Sequence, residues 1–414
     1  MKPRIAVSLL LALSLSAALP AAAETVQFAY IDPLSGPFAN TGEWGLKHYQ
    51  FIADEINRRN LAGGPKLEVI GFDNKVSPQE SLNQLKKAID SGIRYVIQGQ
   101  SSAVGLALAD AIGKHNERNP GKEVLYLNYA AVDPDLTNAK CSYWHFRFDA
   151  NSDMKMEALT TFLAPDRNVR KVYLINQNYS FGQAVARAAR ADLARKRPDI
   201  QIVGDDLHPL GQVKDFAPYV AKIKAAGADT VISGNWGNDL ALLIKAAKEA
   251  GLAVNFYTYY AGAIGTPTAM GEAAIGRVKQ ISEYHLNVPN RETDRLAAAF
   301  KKKYNQDFGF YRVNTMMLML VEAMQRAQSA QPLAVAKALE GMRYQTGLGE
   351  VEMRAADHQL IQPLYISSIE RAVAKGGPKE VRFDSEGTGL GFRTEARIEG
   401  YVSAQPTSCQ MKRP

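Results

Sequence analysis

Short apolar runs alternate with helix-length amphipathic segments along most of the chain. In its first part the apolar runs are VQFAYI (26–31), LEVIGF (67–72), YVIQG (95–99) and VLYLN (124–128). Continuous apolar character of this kind is typical of parallel strands in a sheet that is covered on both faces. We therefore predict strands in these runs and helices between them.

Two of the intervening segments carry separate helix signals. Apolar side chains and His48 recur at every fourth position from Trp44 to Ile56, so they share one helix face. The tetrapeptide SPQE that begins at Ser77 is a capping box with proline at the first helical position. Both patterns predict helices.

The same alternation restarts in the middle of the chain. Further predicted strands are KVYLIN (171–176), QIVGDD (201–206), DTVISG (229–234) and VNFYTY (254–259). The predicted helices between these strands lie near 181–196, 214–226 and 238–250. Two consecutive series of this type predict two doubly wound α/β domains.

A helical block follows the second series. The pattern predicts helices at 292–304, 310–328 and 332–341, with strand character returning at 364–370. A block without strands cannot form a third doubly wound domain, so we expect it to pack back onto the first domain.

The first 23 residues have the three parts of an export signal. Lys2 and Arg4 precede a short apolar run, and the small residues that end at Ala23 form a cleavage pattern. The alternative is an uncleaved membrane anchor, but a span needs roughly 20 strongly apolar residues and serines interrupt this run. We expect cleavage after Ala23 and a mature periplasmic protein that does not span the membrane.

Charge and motifs narrow the possible functions. The formal charge is +7, and its 49 basic residues are interspersed with 42 acidic ones, a pattern that favours solubility over nucleic-acid binding. Zinc, calcium, dinucleotide and Walker motifs are missing, so we expect no metal and no cofactor. The segment 99–103 lacks the second glycine of a hydrolase G-x-S-x-G motif, and His358 is the best candidate base, so serine hydrolysis is only a remote alternative.

The chain has two cysteines, Cys141 and Cys409. An exported protein meets an oxidising compartment, where an even number of cysteines indicates a disulfide. Two buried thiols are the alternative.

Five segments together resemble a known family. They are YIDPLSGPFANTGEWG, YVIQGQSSAVGLALAD, VDPDLTN, INQNYSFGQ and SGNWGNDLALLIKAAKEAG, in this order behind the signal. The chain resembles the extracytoplasmic solute-binding proteins of branched-chain amino-acid-type ABC transporters, the leucine/isoleucine/valine-binding family. The resemblance implies a non-enzymatic, monomeric protein that captures a small solute and delivers it to the membrane permease of an ABC importer.

The family fold implied is the type I periplasmic-binding-protein fold, with two lobes joined by three crossover strands and the ligand in the cleft. Mapped onto this chain, the first lobe comprises 24–146 plus 284–355. The second lobe comprises 147–283 plus 356–400, and 401–414 is a tail that returns toward Cys141.

The resemblance also implies where a ligand carboxylate binds. Ser102, or Ser101 beside it, takes the family's carboxylate-binding position at a helix N-terminus, where free N–H groups suit an anion. Capping of the helix is the plainer role for either serine. Ala130 would offer its carbonyl, and Val132 occupies a position where the family commonly has a hydroxyl, unless this segment is a simple turn.

Aromatic contacts are implied in the second lobe. Phe181 and Trp236 match family positions that contact ligand, and Tyr260 lies in the next loop. Trp44 and the loop 35–41 either line the cleft or pack in the core.

One departure from the family bears on the ligand itself. Amino-acid-binding relatives place an acidic side chain near Ala261, where it pairs with the α-ammonium. Either Asp239 or Glu283 supplies that charge here, or the ligand is a carboxylate without an α-amino group, since a buried ammonium without a counter-charge is costly. The alternatives on the same fold are a ligand-presenting chemosensory protein and an amide sensor.

Overall fold

Two α/β lobes make up the protein in the computed structural model, which describes residues 25–373 and 380–414. The predicted signal, 1–23, lies outside the described residues. Each lobe has one sheet, of eight strands in the first lobe and seven in the second. The predicted pair of doubly wound lobes is confirmed.

The strands include the predicted apolar runs and further segments that are short or more polar. In chain order they are β1 (Thr25–Asp32), β2 (Lys66–Asp73), β3 (Tyr95–Gln98), β4 (Leu125–Asn128), β5 (His145–Arg147), β6 (Lys171–Gln177), β7 (Gln201–His208), β8 (Thr230–Ser233), β9 (Asn255–Thr258), β10 (Val278–Ser282), β11 (Arg343–Thr346), β12 (Gly349–Arg354), β13 (Gln359–Ile361), β14 (Leu364–Arg371) and β15 (Leu390–Ile398).

The helices cover both faces of the sheets. They are α1 (Ala39–Arg58), α2 (Pro78–Asp90), α3 (Ser102–Arg118), α4 (Ser152–Leu163), α5 (Ser180–Lys196), α6 (Ala217–Ala225), α7 (Asn238–Glu249), α8 (Thr266–Met270), α9 (Arg291–Tyr304), α10 (Tyr311–Ala327), α11 (Pro332–Leu339) and α12 (Gly400–Ser403). Ser77 caps α2 by accepting a hydrogen bond from the Glu80 N–H, as the capping box predicts.

The two sheets repeat one strand order. The first runs β11-β12-β13-β5-β4-β3-β1-β2, and the second runs β15-β14-β10-β9-β8-β6-β7. In each, the first strand of the lobe pairs in parallel with the two that follow it, so the order reverses beside β1 and beside β6. Ligands of doubly wound sheets bind outside the carboxyl ends of the strands at such reversal points.

The chain crosses between the lobes three times. It passes from β5 to α4, from β10 to α9, and from β13 to β14. The last crossing lies later than the predicted lobe boundary at 355, because β13 pairs with β5 and therefore belongs to the first sheet. Helices α9 and α10 pack on α1, and α11 packs on β4, so the helical block covers the first lobe.

The C-terminal tail also returns to the first lobe. Cys141 and Cys409 form a disulfide bond, and the Thr407 hydroxyl donates to the Thr137 carbonyl at 2.6 Å. Within 25–373 and 380–414, no helix combines the length and apolar character needed to cross a bilayer.

Candidate functional site

Asp32, at the carboxyl end of β1, fixes the loop between β3 and α3. Its carboxylate accepts hydrogen bonds from the N–H groups of Gly99 (3.1 Å) and Gln100 (2.9 Å) and from the Tyr129 hydroxyl (2.9 Å). Burial raises the pKa of Asp32 to about 7, although these hydrogen bonds oppose the rise. The loop that carries Ser101 and Ser102 is therefore tied to the reversal point of the first sheet.

Close packing accounts for the glycine at position 99, and the turn that carries a hydrolase nucleophile does not. A Cβ at this position would lie 2.6 Å from the Tyr129 ring and 2.9 Å from the Ala130 nitrogen. Two residues later, Ser101 has a φ of 79°, a left-handed backbone conformation that few residues with side chains adopt. The loop thus brings the backbone close to the neighbouring strand before α3 begins.

The N-terminus of α3 has no side-chain cap. Helix α3 begins at Ser102, and the Ser101 hydroxyl makes no capping hydrogen bond. The Ser102 hydroxyl instead accepts a hydrogen bond from the Asp133 N–H at 3.1 Å. The first N–H groups of the helix therefore remain able to hold an anion, with the helix dipole in its favour.

Four aromatic side chains of the second lobe form the facing wall. The Trp236 indole donates to the Tyr179 hydroxyl at 2.9 Å, and the Phe181 ring lies 5.9 Å from that of Tyr179 and 6.2 Å from that of Tyr260. The buried Tyr260 hydroxyl has no hydrogen-bond partner among the described residues. A ligand in front of this wall would meet aromatic faces and one hydroxyl that needs a partner.

Phe38, from the loop between β1 and α1, closes the cleft from the first lobe. Its ring packs on Trp236 with centroids 4.3 Å apart. Gly211 and Gly237 make room for it, since a Cβ at either would lie within 3.0 Å of the ring. The Asn238 amide also donates to the Pro37 carbonyl at 3.0 Å, so the described lobes are in contact.

A cavity of about 30 Å³, which we call the cleft cavity, lies between the lobes. The predicted residues in its wall are Ser101, Ser102, Ala130, Val132, Phe181, Trp236 and Tyr260. The structure thus brings these positions together. Ala261 lies elsewhere, fully buried in an apolar cluster of the second lobe with Met270 and Phe392, because its neighbour Tyr260 is the residue that faces the cleft.

Arg312, on α10, lies in the cleft and was not predicted from the sequence. Its guanidinium makes two 2.7 Å hydrogen bonds to Glu283, and its Nε lies 3.9 Å from the Asp149 carboxylate without a hydrogen bond. Burial lowers the pKa of Arg312, but Glu283 and Asp149 raise it by more, so it lies above its ordinary value. The one available signal is a charged residue at the start of the nearly apolar run VNTMMLMLV, which suggests burial.

Among the described residues, the wall of the cleft cavity contains a positively charged side chain and no acidic one. Arg312 is the charged member among the described lining residues, which include Thr41, Gln100 and Phe310 as well. The two acids proposed as substitutes at Ala261 are engaged elsewhere. Asp239 accepts hydrogen bonds from the Gln177 amide and the Gly211 N–H, and Glu283 binds Arg312.

The fold agrees with comparisons to known proteins. A family model described as periplasmic binding protein matches residues 25–377. The chain belongs to the periplasmic binding protein family. A Brucella abortus relative named Leu/Ile/Val-binding protein homolog 4 is 34% identical over 97% of this chain and 96% of its own length.

Solved structures of other periplasmic binding proteins superpose on most of this chain. The closed conformation of a leucine-, isoleucine-, valine-, threonine- and alanine-binding protein from Brucella ovis has a TM-score of 0.83 at 31% identity, covering 95% of this chain and 100% of that one. A solute-binding protein of an ABC transporter from Rhodopseudomonas palustris, in complex with 3,4-dihydroxy benzoic acid, has a TM-score of 0.76 at 19% identity, covering 91% and 98%. The resemblance drawn from the sequence is confirmed.

His358, the residue considered as a catalytic base, lies outside this periplasmic-binding-protein cleft. His358 is buried against the Phe146 ring with centroids 4.0 Å apart, and burial lowers its pKa to about 4. The described lining of the cleft cavity contains no histidine that could activate Ser101 or Ser102. Over the described residues, no cluster of three or more His, Cys, Asp or Glu side chains could hold a metal ion.

Proposed function

We propose that this protein is an exported solute-binding protein that captures a small carboxylate without an α-amino group and delivers it to the permease of an ABC importer. The carboxylate binds between the N-terminus of α3 and Arg312. The aromatic side chains of Phe181, Trp236 and Phe38 cover it when the lobes close. Closure is the signal that the permease reads, as in other proteins that close by hinge motion.

The charge of the cleft carries this proposal. A carboxylate in the cleft cavity would meet the free N–H groups of α3, the Tyr260 hydroxyl and the guanidinium of Arg312. An α-ammonium there would meet no free carboxylate among the described lining residues, and a buried unpaired charge costs several kcal/mol.

The relatives support a carboxylate ligand in two different ways. The Brucella proteins are named for amino acids, chiefly leucine, isoleucine and valine, whereas the R. palustris protein was solved with an aromatic acid that has no amine. The carboxylate is common to both kinds of ligand. The wall of this cleft provides for that shared group.

A thermal-shift panel of matched compounds tests the ligand class. Leucine, 4-methylpentanoate and 4-methylpentanamide share a carbon skeleton and differ in the amine and the carboxylate. A ligand that binds the folded state raises the unfolding midpoint by mass action. We expect the acid to stabilise the protein and the amide to have no effect. Stabilisation by leucine alone would instead indicate an ordinary amino-acid-binding protein.

Export and delivery have separate tests. N-terminal sequencing of the secreted protein is expected to begin at Glu24, directly after the predicted cleavage site. Small-angle scattering of the mature protein is expected to show a smaller radius of gyration when a binding acid is added. Transport of that acid by the permease in vesicles should require the protein, whereas a purely sensory protein would close without supporting transport.

A further inference from the structure

A second and larger cavity adjoins the cleft cavity. This side cavity has a volume of about 580 Å³, against about 30 Å³ for the cleft cavity. The two share Tyr260, Ala263, Phe310 and Arg312 in their walls, so they meet at these side chains. The side cavity lies between the lobes, with Trp44 on one side and Ile264 on the other.

The cleft cavity alone holds only part of a solute. A water molecule needs about 10–15 Å³ by the same measure, so about 30 Å³ accommodates a carboxylate and little more. The remainder of any ligand anchored at α3 must leave the cleft cavity. The junction at Tyr260 and Ala263 leads into the side cavity, whose volume lies in the range of roughly 300–1,000 Å³ that is typical of small-molecule sites.

The walls of the side cavity are mainly apolar and aromatic. Rings of Trp44, Tyr284, Phe308, Phe310 and Phe392 line it. Trp44 and Phe310 pack together at 4.3 Å between ring centroids, so this part of the wall is a continuous aromatic surface. Such a surface suits a hydrocarbon or aryl group, which gains free energy when it leaves water.

Two cations at the wall of the side cavity already have anionic partners. Lys155 donates to Asp149 at 2.8 Å, and its ammonium lies 4.7 Å from the centre of the Tyr260 ring. Lys301 donates to Asp307 at 2.9 Å. These charges are therefore compensated without a ligand.

The other ionisable groups in the wall of the side cavity also have a partner or are uncharged. Arg312 is paired with Glu283, and the Glu386 carboxylate accepts hydrogen bonds from Gly265 and Thr268. Burial lowers the pKa of His285 to about 3, which keeps this imidazole neutral. Apart from the Arg312 guanidinium, which also belongs to the carboxylate site of the cleft cavity, the described wall consequently offers no uncompensated charge that a ligand tail would have to match.

We propose that the physiological ligand is an amphipathic carboxylate whose uncharged aryl or hydrocarbon tail passes Tyr260 and Ala263 into the side cavity. This inference rests on the carboxylate-binding function proposed above. The head group provides the polar recognition in the cleft cavity, and the side cavity selects for tail length and apolarity.

Calorimetric titration with a series of carboxylates tests whether the ligand tail enters the side cavity. Acetate, benzoate, 3-phenylpropanoate, 4-phenylbutanoate and 5-phenylpentanoate keep the carboxylate and lengthen the tail. Affinity is expected to rise by about fourfold for each methylene that becomes buried. A dicarboxylate of equal length should bind at least tenfold more weakly, because its second charge meets no free counter-charge.

Substitutions that fill the side cavity should weaken the binding of long acids only. Ile264→Trp adds bulk to the side cavity without altering a residue of the cleft cavity, and Gln306→Trp does so from the opposite wall. Both should weaken 4-phenylbutanoate by tenfold or more and leave acetate unchanged. Ile202→Trp is the matched control on the half-exposed β7 and should change neither.

The outcomes separate the two proposals. Equal affinity for short and long acids, tighter binding of the dicarboxylate, or unchanged binding of long acids in both filled variants would overturn the tail and leave the carboxylate site intact. Failure of every acid to bind the wild-type protein would overturn the carboxylate site itself.

Discussion

Arg312 and Glu283 form a fully desolvated ion pair at the edge of the ligand site. Glu283 lies on the crossing that leads from β10 to α9, and Arg312 lies in the first turn of α10. The side chains are 4% and 3% exposed, so each depends on the other for compensation of its charge. The pair therefore links the chemistry of the cleft to the connection between the lobes.

Substitution of one partner of this ion pair should destabilise the folded protein more than substitution of both partners. Glu283→Gln is expected to lower the free energy of unfolding by about 3–5 kcal/mol, because it leaves the Arg312 charge buried without its main partner. The double variant Glu283→Gln with Arg312→Met should recover most of that stability in urea unfolding and yet lose carboxylate binding. A double variant as unstable as Glu283→Gln would show that the uncompensated charge is not the cause.

Asp32 should make the free energy of unfolding depend on pH. Its folded-state pKa of about 7 lies above the ordinary value of an aspartate, so the folded state holds a proton that the unfolded state has released. The resulting stabilisation is complete below about pH 4 and is lost as the pH rises through 7. The free energy of unfolding, measured in urea from pH 4 to pH 8, should therefore fall across this window more steeply in the wild type than in Asp32→Asn. Equal slopes would contradict the account.

Sequence reasoning found about half of the cleft at the level of residues. Serines, small residues and aromatics that follow predicted strands could be placed because the carboxyl ends of parallel strands meet at one edge. Arg312 was not predicted, and the role of Phe38 in the loop 35–41 was left open, since both positions depend on packing across the lobes. Tyr260 and Ala261 were both predicted, but only Tyr260 lines the cleft cavity, because neighbouring side chains point in different directions.

At the scale of elements, periodicity predicted most of the parallel strands and most of the helices. The strands β5 (HFR), β10 (VKQIS), β11 (RYQT), β12 (GEVEMR) and β13 (QLI) were missed, because they are short or polar and lack a continuous apolar run. Strands β11 to β13 form the edge of the first sheet, and the pairing of β13 with β5 placed the third crossing later than expected. Long-range pairing of short strands is not encoded in a local pattern.

The lid formed by Phe38 gives a prediction about closure. Gly237→Ala would put a Cβ 2.9 Å from the Phe38 ring, so it should disfavour the closed form and weaken ligand binding at least tenfold. Gly271→Ala is the matched control, because Gly271 has φ 53° and ψ −154°, close to the 60° and −142° of Gly237, and an added methyl group there would have only the Lys248 ammonium within 4 Å, at 3.8 Å. Both variants carry similar backbone strain, and calorimetry should show weakened binding in the first alone. Equal losses in both would assign the effect to strain.

At the scale of the whole molecule, one covalent link ties the end of the chain to the first lobe. The bond between Cys141 and Cys409 joins residues 268 positions apart, and neither cysteine lines the cleft cavity. Cys409→Ser should lower the free energy of unfolding by roughly 5–6 kcal/mol on the chain-entropy model. Ligand affinity should remain unchanged in calorimetry, and a large loss of affinity would mean that the tail influences the cleft.

The central claim is that the cleft takes a carboxylate and rejects an α-ammonium. Calorimetric titration of the mature protein with 3-phenylpropanoate and with phenylalanine tests it most directly, since the two differ only at the α-carbon amine. We expect the acid to bind at least 100-fold more tightly, a difference of about 2.7 kcal/mol. Phenylalanine binding as tightly as the acid, or more tightly, would contradict the account.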